Sequence, residues 1–153
     1  MATQSLVWHG AAVTERMRAA QIKGINATMS SRDGSCVTSA KANHTWQNRS
    51  GTLEGGIGVA VPAHEDERGV IGIWGVQDVK YALIHELGGT ITATNAKALA
   101  IPLPDGGVAF AKSVTIPARP YLRPAADENY PSLPGRIRRA YDKSAAAGGG
   151  ADG

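Results

Sequence analysis

A chain of 153 residues with 42% hydrophobic content is long enough for one compact domain and too short for two. Aromatic residues make up 5%, and with 19 Gly and 8 Pro the core is left mainly to Val, Ile, Leu and Ala, a modest core to which oligomerisation would add burial. The net charge of +3 is mildly basic with Lys and Arg scattered, and the lone Cys36 excludes an internal disulfide framework and a cysteine-based zinc site. No apolar run approaches a membrane span or a secretion signal, so synthesis in a reducing host cytoplasm, with no membrane partner, is expected.

From Val7 to about Met29, Val13, Met17, Ala20, Ile25 and Met29 recur at roughly helical spacing, which predicts an amphipathic helix interrupted at Gly24. Val37 to Trp46 reads as a second helix or an extended connector. After the break at Ser50-Gly51-Thr52, Ile57 to Val61 and Val70 to Val76 predict an antiparallel hairpin around the charged loop His64-Glu65-Asp66-Glu67-Arg68. Asp78 is expected to cap a short helix from Val79 to Leu87, ended by Gly88-Gly89.

Ile91 to Thr94, Ala98 to Leu103 and Val108 to Ile116 predict three strands. The last two are joined by Pro104-Asp105-Gly106-Gly107 into a hairpin or protruding arm. Helical pieces are expected over Leu122 to Asn129 and Pro134 to Lys143, and disorder over Ser144 to Gly153. This order implies an α+β domain over residues 1–143: an antiparallel sheet with helices packed on one side and a protruding β-hairpin arm.

The residues offer little catalytic chemistry. His85-Glu86 opens a zinc-protease pattern, but Gly occupies position 89 where the second His belongs, so His85 reads as a packing or hydrogen-bonding residue. Cys36 has no His at a telling spacing, and the Gly-rich stretches lack the Lys-Ser/Thr step of a phosphate loop. No catalytic, cofactor-binding or metal-ligating residue is expected, and no small-molecule substrate. Arg136, Arg138 and Arg139 form the one basic cluster and are candidates to face DNA.

Three segments resemble the tail-completion and virion-morphogenesis proteins of long-tailed bacteriophages, over about residues 10–130. Arg49-Ser50-Gly51-Thr52-Leu53-Glu54-Gly55-Gly56-Ile57 is similar to that family's step from a leading helix into the first strand, with Gly56 where a Ser is usual. Tyr81-Ala82-Leu83-Ile84-His85-Glu86-Leu87-Gly88-Gly89, followed by Lys97 to Pro102, resembles a second signature. Ile116-Pro117-Ala118-Arg119-Pro120-Tyr121-Leu122-Arg123-Pro124-Ala125 resembles a third, with Tyr121 in place of Phe.

The resemblance implies a structural virion protein of the neck or upper tail and not an enzyme. It would be a homo-oligomeric ring of sixfold symmetry that meets neck, connector, tail-terminator or tail-tube proteins and lets genomic DNA pass non-specifically. Candidate interface residues are Arg49, Leu53, Ile57, Val59, Tyr81, His85, Lys97, Phe110, Arg119 and Tyr121. For Tyr81 and His85 internal packing is the stronger reading, and for Arg119 a tie within its own domain is as good an account as a partner's carboxylate. The strand edge Ile57 to Val61, the arm Ala98 to Ile116 and the N-terminal helix are the candidate contact elements, and Glu65 to Arg68 would line a lumen. Three rivals are weighed: a tail terminator or other neck connector of similar fold, a small DNA-binding module using the arginine cluster and exposed tryptophans as stacking platforms, and an undetected enzyme, which would need a convergent polar pocket that the sequence does not show.

Overall fold

A computed structural model of the chain describes residues 9–46 and 50–148. The first helix, α1 (Gly10–Met29), runs unbroken through Gly24. The expected interruption is absent because Gly24 serves the packing: a Cβ there would meet Ile137 Cγ1 at 2.5 Å and the Ile137 amide nitrogen at 3.0 Å. Ala20, Gly24 and Thr28, each one turn apart, are all buried, so a stripe of small residues lets the last helix lie close against the first.

Ser35 then caps α2 (Cys36–Ala42), its Oγ accepting the Thr38 amide at 3.3 Å. A single turn, α3 (Thr52–Gly56), leads into the hairpin of β1 (Ile57–Asp66) and β2 (Gly69–Val76), paired antiparallel from Ile57↔Val76 to Asp66↔Gly69. Both strands run longer than the alternation predicts. The register slips between Val61 and His64, around Pro62, which has no amide to give the ladder. The Ala63 amide donates instead to Asn26 Oδ1 of α1 at 2.8 Å, which helps seat the hairpin on that helix.

Asp78 does not cap a helix. It adopts a left-handed conformation at φ 58° that turns the chain after β2, and α4 (Ala82–Leu87) begins only after Tyr81. Four short strands follow: β3 (Gly89–Thr92), β4 (Leu99–Pro102), β5 (Val108–Ala111) and β6 (Ser113–Ile116). They form one long antiparallel excursion, β3 with β6 at its base and β4 with β5 beyond. The strand expected over Val108 to Ile116 breaks at Lys112, because residues 94–98 bulge from the opposite side; the Lys112 carbonyl accepts from the Ala93 amide at 2.9 Å. At the tip, Asp105 Oδ1 accepts the Gly107 amide at 3.0 Å and Gly106 takes φ +85°, as the Asp-Gly step foretold.

The chain returns through α5 (Leu122–Asn129), a 3₁₀ turn at Tyr130–Ser132 and α6 (Leu133–Gly148). Pro124 and Pro134 fall in the first turns of their helices, where a missing amide costs nothing. The expected disorder from Ser144 is overturned as far as Gly148, since the Ala run has high helix propensity and simply prolongs α6. The result is an α+β fold whose β1–β2 hairpin carries helices on one face, with the β3–β6 excursion standing out as an arm. The core gathers Ala40, Trp46, Leu53, Ile57, Tyr121 and Ala125. Among the described residues no helix is long and apolar enough to cross a membrane.

Candidate functional site: the arm and its anchor

The three segments singled out in the sequence meet at the foot of the arm. Glu86 of α4 accepts three consecutive amides at the start of α5: Tyr121 at 2.7 Å and Leu122 at 3.0 Å on Oε2, and Arg123 at 3.0 Å on Oε1. No local side chain caps α5, so this distant carboxylate satisfies its orphan donors and sits at the positive end of its dipole. The Arg119 amide donates to the His85 carbonyl at 2.8 Å. Gly88, at φ +70°, passes so close that a Cβ would lie 2.6 Å from the Ala118 amide nitrogen and 2.9 Å from the Ile116 carbonyl. Only Gly fits there.

Beneath this clamp lies Tyr121, 0% exposed, with its ring edge-on to Trp46 at 4.5 Å and its hydroxyl donating to the Ala82 carbonyl at 3.4 Å. Burial, then the Glu86 carboxylate, push its phenol up to about 12. Trp46 in turn stacks on His44 at 3.8 Å. Leu53 and Ile57, from the first segment, close the same cluster. At Gly56 a Cβ would lie 3.0 Å from the Gln77 carbonyl and 2.8 Å from Val79 Cγ2, so the close approach of these neighbours suits Gly.

Leu53, Ile57 and Tyr121 are therefore corrected as interface candidates: all three are buried within their own chain, where no partner can reach them. Val59 and His85 are half-buried, and Tyr81, partly exposed, packs edge-on against the His85 ring at 5.8 Å. Burial first, and the Arg119 guanidinium second, hold the His85 imidazole below its ordinary value. The Arg119 side chain is exposed and makes no ion pair or hydrogen bond among the described residues; its amide, not its guanidinium, ties the domain together. Arg49 lies outside the described residues.

The arm itself is of opposite character. In the β4–β5 ribbon the cross-strand pairs Ala100↔Phe110 and Pro102↔Val108 occupy one face, and Leu99↔Ala111 and Ile101↔Ala109 the other, so neither face is polar. Phe110 is 73% exposed, and Leu83 and Leu87, one turn apart on α4, are each 68% exposed. Seven of the twelve large exposed apolar side chains of the described residues, Tyr81, Leu83, Leu87, Ile91, Leu103, Val108 and Phe110, belong to the arm and α4. Tyr81 and Phe110 were expected contact residues and Leu103 and Val108 lie within the arm expected to make contacts, whereas Leu83, Leu87 and Ile91 were not expected. The i, i+4 pair Leu83 and Leu87, continued by Ile91, was the available signal.

The basic cluster divides. Arg136 is half-buried and its guanidinium is engaged within the chain: it donates to the Ala27 carbonyl at 2.5 Å, the Gly34 carbonyl at 2.7 Å, Ser31 Oγ at 3.1 Å and Ser132 Oγ at 3.0 Å, while its side chain also lines the cleft between α1 and α6. Its planar fork reaches the Ala27 carbonyl in the last turn of α1 and the Gly34 carbonyl in the following loop, which is why the position suits Arg. Arg138 and Arg139 are exposed, Arg138 lying 4.0 Å from Asp142. Arg139 joins Lys23 and Lys143 along a cleft of about 450 Å³ between α1 and α6. Of the tryptophans, Trp46 is buried and Trp74 donates to the Tyr130 hydroxyl at 3.1 Å, so neither is an open stacking platform. Among the described residues no three His, Cys, Asp or Glu side chains converge to hold a metal ion. The chain matches no protein-family model, no curated protein and no solved structure.

Proposed function

We propose that the protein is a structural, self-assembling component of a tailed-phage particle, a neck or tail-completion protein that works as a ring of copies. The observation that carries this reading is the arm: a ribbon apolar on both faces, rooted in a buried clamp, with Phe110 and Val108 exposed among the described residues. An isolated two-stranded ribbon is marginal in water, and one that exposes Phe110 and Val108 gains stability when a partner covers it. The resemblance of the clamp segments to tail-completion proteins supplies the setting, with neck or tube proteins above and below and DNA passing the lumen. The test is quantitative mass spectrometry of tailed virions that encode the chain, with electron microscopy of antibody-labelled particles. A fixed low copy number and label at the neck are expected; absence of the chain from virions overturns the reading.

A second reading rests on the cleft of Lys23, Arg139 and Lys143, which would suit a phosphate backbone. It predicts that binding to bare DNA weakens steeply with salt and is lost when these three residues become Glu.

A further inference from the structure

Most of the large exposed apolar side chains fall into two separate groups. One is the arm with α4. The other includes Ile71 and Tyr130, which line a groove between α1, β2 and the start of α6; Ile73 lies farther along β2, and Val13 and Met17 lie apart on α1. The groove measures about 280 Å³ and is floored by Met29 and Gly72 and walled by Ile25 and Trp74. At Gly72 the Met29 thioether and Ile25 pack straight onto the strand backbone, since a Cβ there would lie 2.6 Å from Met29 Cε and 3.0 Å from Ile25 Cγ2, so the floor is closed by α1 and not by a side chain of β2. An apolar cavity of about 150 Å³ already holds a benzene ring, so this groove has room for a phenylalanine.

The charges beside the two groups are opposite. The groove runs along β2 toward the hairpin tip, where Asp66 and Glu67 make no ion pair among the described residues, Arg68 follows them and Glu65 is already paired with Arg18 at 2.8 Å, so the tip carries a small net negative charge. The arm carries Lys112 two residues after Phe110, and Lys97 in the bulge facing it; both are exposed and neither makes an ion pair among the described residues. Two unlike patches on one chain, each complementary to the other, define a head-to-tail contact that repeats into a ring.

We infer that the arm of one copy docks on the groove of the next, with Phe110 in the pocket beside Ile71 and Gly72, and Lys112 and Lys97 against the acidic hairpin tip. The inference rests on the reading of the arm as an assembly element and names what covers it. Arm and α4 together place seven large exposed apolar side chains on the docking element, whereas Phe110 alone would not suffice.

The test is a complementation experiment read by light scattering. Phe110→Asp disables the arm and Ile71→Asp disables the groove, both at exposed positions, with circular dichroism and melting temperature confirming that each variant folds. The wild-type chain is expected to associate as concentration rises, each variant alone to stay a monomer, and an equimolar mixture to form a dimer and nothing larger. In that mixture one intact arm meets one intact groove. An Ile71→Asp chain that still dimerises alone means that arms pair with arms, a mixture that stays monomeric means that arm and groove do not meet, and variants that assemble like wild type mean that the contact lies elsewhere; each overturns the inference, as does a wild-type chain that is monomeric throughout. As a check that spares the groove, Lys112→Glu should weaken association at least tenfold and Glu67→Lys in the same chain should restore it. Absence from virions would overturn the phage setting and leave this contact untouched.

Discussion

The foot of the arm and the arm beyond it use the same kinds of residue to opposite ends. At the foot, Tyr121, Leu53 and Ile57 are buried, Glu86 satisfies three amides, and Gly88 lets two backbones touch. A few residues along, Phe110, Val108 and Leu103 are just as apolar and stand in solvent. Hydrophobicity alone does not separate a core residue from an assembly residue; what separates them is whether the chain returns to cover it. Here α5 returns over the foot, and among the described residues none returns over Phe110 or Val108. Substitutions at the foot should therefore cost folding, and substitutions on the arm should cost assembly.

The largest expected effect is at Tyr121. Tyr121→Ala removes a fully buried ring from the cluster with Trp46 and should destabilise the chain by about 3–5 kcal/mol in denaturant titration. A loss below about 1 kcal/mol would mean the foot is not the anchor it is taken to be. Next comes Glu86→Ala, which leaves three amides at the start of α5 without their acceptor; a loss of about 2 kcal/mol is expected, with fraying confined to α5 and the arm's base.

His85 gives the comparison a pH axis. Its folded pKa lies below the ordinary 6.5, so the unfolded chain binds the proton more readily. The associated stability is complete above the unfolded value and declines as pH falls from there toward the lowered folded value. His85→Asn should flatten the melting temperature across that window, and a slope unchanged by the substitution would shift the cause to another group. The smallest effect on folding should come from Phe110→Asp, within about 0.5 kcal/mol of the wild type because the side chain already stands in water.

Much of this was legible in the sequence where local chemistry decides the outcome. The hairpin around Glu65 to Arg68, the Asp105-Gly106 turn, the arm and α5 follow from alternation, turn residues and proline placement. What could not be read were choices made by distant neighbours. Asp78 resembles a helix cap until the packing of β2 turns it left-handed. Arg136 looks like one third of a basic patch, yet the carbonyl end of α1, more than a hundred residues earlier, claims it. Leu53, Ile57 and Tyr121 stood in segments that suggested an interface, and it was the folding of those segments onto one another that buried them. Ser144 to Gly148 looked like tail because composition does not tell a helix prolongation from a linker.

The measurement that bears most directly on the contrast between anchor and arm is amide hydrogen exchange read by mass spectrometry, on the wild-type chain at low and at high concentration. The account predicts slow exchange through α4, α5 and the Trp46–Tyr121 core at both concentrations, and fast exchange over residues 97–112 that becomes slow only when copies associate. An arm protected equally at every dilution, or one that stays unprotected in the associated state, would contradict it.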